Sequence, residues 1–104
     1  MKRTPILIIM LGLLVSASTT AAAARSGQQV YDAVCKTCHA TGVSGAPKYG
    51  DKVWLVLMKK EGMHELVKDA IRGNRIMPPR GGCADCSNEE VRAAVKYLVD
   101  SAGK

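Results

Sequence analysis

The chain has 104 residues, enough for one domain and too few for two. It is basic, with 15 Lys and Arg against 9 Asp and Glu, a formal +6 at pH 7. That charge is not a nucleic-acid signature, because no basic stripe with interleaved aromatics occurs and the chain has no Phe.

The chain starts with Lys2 and Arg3, followed by an apolar run from Ile6 to Val15. Ala21 to Ala24 then offer an A-x-A cleavage site before Arg25. This is the layout of a secretory signal peptide. Residues 1–24 are therefore expected to be removed, leaving 25–104 as one domain in the periplasm. The alternative is an uncleaved anchor, since no charge lies between Arg3 and Arg25. Ser16, Ser18, Thr19 and Thr20 weigh against it, because a spanning helix wants about 20 mostly apolar residues. Loss of Lys2 and Arg3 leaves 13 basic residues against nine acidic ones, a formal +4. A domain of about 80 residues buries little core and is marginal without a cofactor or staple.

Ser26-Gly27-Gln28-Gln29 fits the S-x-x-Q capping box at a helix start. Val30, Tyr31 and Val34 then share one face of a helix that runs into Cys35-Lys36-Thr37-Cys38-His39. This C-x-x-C-H run reads as covalent attachment of a c-type haem. Cys35 and Cys38, three apart on a helical turn, reach the two vinyl groups of one porphyrin, and His39 supplies the proximal imidazole to the iron. A proximal imidazole needs its other ring nitrogen hydrogen-bonded. The carbonyl of Pro47, within loop reach, is a candidate acceptor.

Residues 41–50 hold Gly42, Gly45, Pro47 and Gly50 and read as a loop. Asp51 is expected to cap a second helix with Trp54, Leu55, Leu57 and Met58 apolar, interrupted by Gly62. Leu66, Val67, Ala70 and Ile71 form a third helix, stopped by Gly73. Residues 74–86 read as irregular. Within them Met77 is the choice for the second axial ligand, giving Met/His ligation. It lies in a non-helical segment, precedes a proline and is stiffened by Pro78 and Pro79. Met58 and Met63 read as core filling, and His64 as an exposed helical side chain.

Cys83 and Cys86 form a second C-x-x-C. A Cys₄ zinc site with the first pair fails, because the gap from Cys38 to Cys83 far exceeds the usual spacing of about 15–20 and leaves His39 unexplained. A thioredoxin-type motif would want a βαβ context, which is lacking. A local disulfide is the plain option in an exported chain. Ser87-Asn88-Glu89-Glu90 is a second capping box, followed at helical spacing by Val91, Ala94, Val95, Leu98 and Val99. The fold class is all-α, with about four helices around one haem.

The pieces 27–31 (GQQVY), 34–43 (VCKTCHATGV), 45–48 (GAPK), 76–82 (IMPPRGG) and 89–98 (EEVRAAVKYL) resemble class I c-type cytochromes, most closely the cytochrome c5 group. The resemblance implies the cytochrome c fold, with first and last helices crossing at Gly27, Tyr31 and Tyr97. It implies one covalently bound haem c, Met77 as sixth ligand, Pro47 as the carbonyl partner of His39, and a Cys83–Cys86 disulfide. The segment 53–63 does not align, and the role of Trp54 stays open, on the haem or near a propionate.

The expected function is a soluble one-electron carrier, not an enzyme. Its partners would be redox proteins such as a quinol-oxidising complex and a terminal oxidase or reductase, with no nucleic acid and no stable membrane insertion after cleavage. Association into a weak dimer stays open. The alternatives are an electron-transfer module docked permanently on a larger complex, and a peroxidase-like enzyme, which would need an open iron position and distal acid/base groups. Lys48, Lys52, Lys59 and Lys60 suit either a docking face for acidic partners or an ordinary solvated surface.

Overall fold

The computed structural model describes residues 2–5, 9–16 and 23–104. Of the expected leader, residues 1, 6–8 and 17–22 lie outside the described residues. The described secondary structure is helical, without strands.

Helix α1 covers residues 27–39 and opens on the expected capping box. The Ser26 hydroxyl accepts from the Gln29 amide at 3.1 Å, and Gln29 Oε1 accepts from the Ser26 amide at 2.8 Å. The helix is α-helical over Gly27–Val30, π-helical over Tyr31–Cys35 and α-helical again over Lys36–His39. A π turn takes in one extra residue and rotates all that follows. Val30 and Tyr31, at the start of that turn, lie in the core, while Cys35 and Cys38 stay partly exposed one turn further on.

Helix α2, Val53–Arg72, is broken at Gly62, whose φ of 80° and ψ of 164° lie outside the helical region. Among the described residues that break gives four main helical segments, as the residue pattern predicts, beside short 3-10 turns at Val43–Gly45 and Pro79–Gly82. A Cβ at Gly62 would meet nothing within 4 Å, so the glycine is needed for its backbone angle and not for space. Asp51 does not cap this helix. Lys52 stands at the N-cap, and the Asp51 carboxylate instead accepts from the Lys48 amide at 2.8 Å, closing the turn before it. Leu55 is also not a core residue. Trp54, Leu57 and Met58, at i, i+3 and i+4, face inward, which leaves Leu55 and Val56 outside at 59% and 61% exposure. In the second half Leu66, Val67 and Ala70 are buried, and Gly73 ends the helix at φ 72°.

Helix α3, Asn88–Asp100, has the second capping box, with the Ser87 hydroxyl accepting from the Glu90 amide at 3.1 Å and Glu90 Oε1 from the Ser87 amide at 3.0 Å. Val91, Ala94, Val95, Leu98 and Val99 are all buried as predicted. It packs on the start of α1 and along α2. The approach to α1 is set by Gly27, where a Cβ would overlap the Ala93 carbonyl and lie 3.1 Å from Tyr97 Cβ. The rings of Tyr31, Tyr49 and Tyr97 close this crossing, with centroids 5.3–5.5 Å apart. Past α3, buried Ser101 accepts from the Gly50 amide at 2.8 Å, tying the loop after α1 to the C-terminus.

Candidate functional site

A cleft of about 520 Å³ opens between α1, the loop through Pro47 and the loop through Met77. Cys35, Cys38, His39, Pro47 and Met77 all line it, so the structure brings together every residue expected at a haem. His64 is not among them. It is exposed on α2 beside a separate depression near Lys68 and Arg92.

His39 is 9% exposed and its Nδ1 lies 2.6 Å from the Pro47 carbonyl. A carbonyl only accepts, so Nδ1 carries the proton and Nε2 keeps its lone pair for a metal. The backbone repeats the link, with the Tyr49 amide donating to the His39 carbonyl at 2.7 Å. Trp54, 6% exposed, stands behind the imidazole with ring centroids 5.8 Å apart, and its Nε1–H donates to the Lys48 carbonyl at 2.9 Å. Trp54 thus braces His39 and the loop around it, and it does not line the cleft. Cys35 and Cys38 both line this cleft, are partly buried and are not joined to one another.

Met77 is seated by residues the pattern did not single out. Asn74 Oδ1 accepts from the amides of both Ile76 and Met77 at 2.8 Å, and the Asn74 amide donates to the Met77 carbonyl at 2.8 Å. Gly73 makes this possible, because a Cβ there would fall within 2.8 Å of the Met77 carbonyl and the Pro78 and Pro79 backbone. An Asn directly after a helix-ending Gly is the signal that points to such a side-chain-capped turn. Beyond the prolines, Arg80 takes the left-handed φ of 57° and donates to the Cys86 carbonyl at 2.9 Å and to Asn88 Oδ1 at 2.7 Å.

Cys83 and Cys86 are joined as a disulfide, with Cα atoms 5.4 Å apart and both residues buried. Arg25, before α1, reaches this loop: its Nη2 lies 3.5 Å from Cys86 Sγ, and its Nε 2.7 Å from Glu90 Oε2. The hydrogen bond from Arg25 is the main reason the Glu90 carboxyl is pulled down to about 2.

The donor set fits a haem. Two thiols sit at the C-x-x-C spacing, an imidazole nitrogen is left free to bind a metal, a thioether lines the same cleft, and the rim bears the exposed apolar side chains Val43 and Ile76.

Comparison with known proteins agrees. Residues 22–98 match the family model described as cytochrome c oxidase, cbb3-type, subunit III. The chain is 43% identical over 91 residues to cytochrome c-555 of Chlorobaculum tepidum, covering 84% of each chain. It is 43% identical over 74 residues to cytochrome c5 of Azotobacter vinelandii, covering 69% of this chain and 89% of that one. Among solved structures, the cytochrome c in an electron transfer complex with nitrite reductase superposes with a TM-score of 0.68 at 40% identity, covering 73% of this chain and 93% of that one. A mono-haem ferrocytochrome c from Shewanella putrefaciens gives 0.65 at 34% identity, covering 78% and 99%. With this cleft, this helical fold and these relatives, the chain belongs to the class I c-type cytochromes, electron carriers and not enzymes, with one covalently bound haem c.

Proposed function

We propose that residues 1–24 direct export and are removed, and that residues 25–104 work in the periplasm as a His/Met-ligated electron carrier. The observation that carries this reading is the convergence of Cys35, Cys38, His39 and Met77 on one cleft. In it, Cys35 and Cys38 hold the haem through thioethers, His39 and Met77 are the axial ligands, and Cys83–Cys86 staples the loop that follows Met77. When bound, the haem supplies a one-electron couple whose potential is raised by the thioether. The chain's own residues do the positioning. Pro47 fixes the tautomer and plane of His39. Asn74 and the two prolines hold the turn that presents Met77, so a weak ligand binds with little ordering cost.

Export is supported by the described part of the leader. Ile9, Met10, Leu11, Leu13, Leu14 and Val15 are all at least 74% exposed and none packs on the core. No described helix is long and apolar enough to cross a membrane. The expected donor is a quinol-oxidising complex and the acceptor a terminal oxidase or reductase. The relative solved with nitrite reductase supports a reductase of that kind. A second reading, a module docked permanently on a terminal oxidase, is favoured by the oxidase-subunit family match. Purification separates the two: a carrier elutes alone, and a module elutes with its complex.

The test is a visible spectrum of the exported protein, oxidised and reduced. A low-spin c-type spectrum is expected, with the weak long-wavelength band of a thioether on ferric iron lost in Met77→Ala and kept in Met58→Ala and Met63→Ala. The reverse pattern reassigns the ligand, and haem extracted by acid-acetone disproves covalent attachment.

A further inference from the structure

We propose that Glu90 is the receptor for the chain's own new N-terminus: removal of the leader after Ala24 converts the Arg25 main-chain nitrogen into an ammonium that pairs with the Glu90 carboxylate. The inference rests on the leader boundary proposed above. The cut is a hydrolysis in which water gives a hydroxyl to the Ala24 carbonyl carbon and a proton to the Arg25 nitrogen, which becomes an α-ammonium at neutral pH.

The geometry is in place. Arg25 N lies 3.0 Å from Glu90 Oε2, the same oxygen that accepts from Arg25 Nε at 2.7 Å. Glu90 is 8% exposed and its other oxygen accepts from the Ser87 amide, so the carboxylate is held where it stands. The charged groups facing this point are Glu90 from α3, Asp85 from the disulfide loop at 3.6 Å from Arg25 Nη2, and the guanidinium of Arg25 itself. Arg80, which bonds the Cys86 carbonyl and Asn88, stands at the far side of the same loop. Two carboxylates therefore meet the guanidinium, and an uncut amide leaves Glu90 with one cation where the processed chain gives it two.

The latch joins the start of α1, the first turn of α3 and the disulfide loop. Arg25 precedes the N-cap of α1, Glu90 caps α3, and Nη2 touches the disulfide that follows Met77. Processing therefore adds a charge to a contact that the uncut chain makes with a neutral amide. Pairing with Glu90 is expected to raise the ammonium's pKa above the about 7.7–8.0 of a free α-amine, against the repulsion of the Arg25 guanidinium on the same oxygen. Its stabilisation is fully present below that value and is lost as pH rises through the raised folded value.

The experiment uses the exported holoprotein. N-terminal sequencing is expected to give Arg25, and NMR titration of the α-amine a proton affinity raised about tenfold, one unit, in the parent. Glu90→Gln, which keeps the capping box, is expected to return the amine to its ordinary value. A different first residue overturns the boundary and the latch together. Arg25 first, with an ordinary amine that Glu90→Gln leaves unmoved, overturns the latch alone.

Discussion

At Met77 one side chain's usefulness depends on the backbone beneath it. Asn74 supplies the acceptor for two amides of that turn, so Asn74→Ala strips both at once. At roughly 0.5–1.5 kcal/mol net per hydrogen bond, about 1–3 kcal/mol of the loop's order is lost. On the proposed ligation by Met77, the expected outcome is a thioether–iron band that disappears at lower denaturant than global unfolding, measured by following both in one titration. Coincident loss, as in the parent, would show that Asn74 does not hold the ligand. That residue 77 lies in a non-helical loop at the cleft was legible, because the bias against helix before proline is a local rule. Asn74 was not legible in the same way. Its role needs the left-handed Gly73 and the carbonyl of Met77 brought back to it, and both are set by how α2 ends against residues 77–79.

Among the helices, the capping boxes were legible at both ends of the domain, because cap and partner lie three residues apart and need no tertiary context. The π turn at Tyr31–Cys35 was not; it follows directly on the packing of the start of α1 against α3, and no local residue preference announces it. The same contact makes Gly27→Ala costly. Its Cβ would overlap the Ala93 backbone, which moves only if the helix moves. Overpacking of this kind costs typically about 1–3 kcal/mol, read as a lowered thermal midpoint with the haem spectrum retained. Glu90 gives α3 an acid dependence of a definite sign. Its carboxyl falls from 4.5 in the unfolded chain to about 2 in the fold. Its stabilisation is present above pH 4.5 and is lost as pH falls through about 2. Glu90→Gln should therefore flatten the fall of the unfolding midpoint between those values, and an unchanged acid limb would assign that fall to other carboxylates.

The molecule as a whole is a set of helices around a cleft, tied by hydrogen bonds that span from six to 65 residues of sequence. Ser101 to Gly50, Arg25 to Glu90 and Trp54 to Lys48 each tie a loop to a helix, and none is announced by composition. The cleft, of about 520 Å³, has Cys35, Cys38 and His39 on α1, Met77 on a separate loop, and apolar rim residues such as Val43 and Ile76, which are solvent-facing. A domain of about 80 residues has little apolar burial to spare, so the haem is expected to complete the core as well as carry the electron. The disulfide is the smaller contribution. Closing so short a loop constrains the unfolded chain by up to about 2 kcal/mol in the chain-entropy model. The two contributions make different predictions. Cys83→Ser/Cys86→Ser should lower the unfolding midpoint modestly and leave a cooperative transition, with electron exchange retained. Cys35→Ala/Cys38→Ala, which removes covalent attachment, should broaden or abolish the transition seen by far-UV circular dichroism and restore it on saturation with added haem. A sharp transition in that variant without haem would show that the core of α1, α2 and α3 is sufficient alone. Two reactive thiols in the untreated parent would remove the staple from the account.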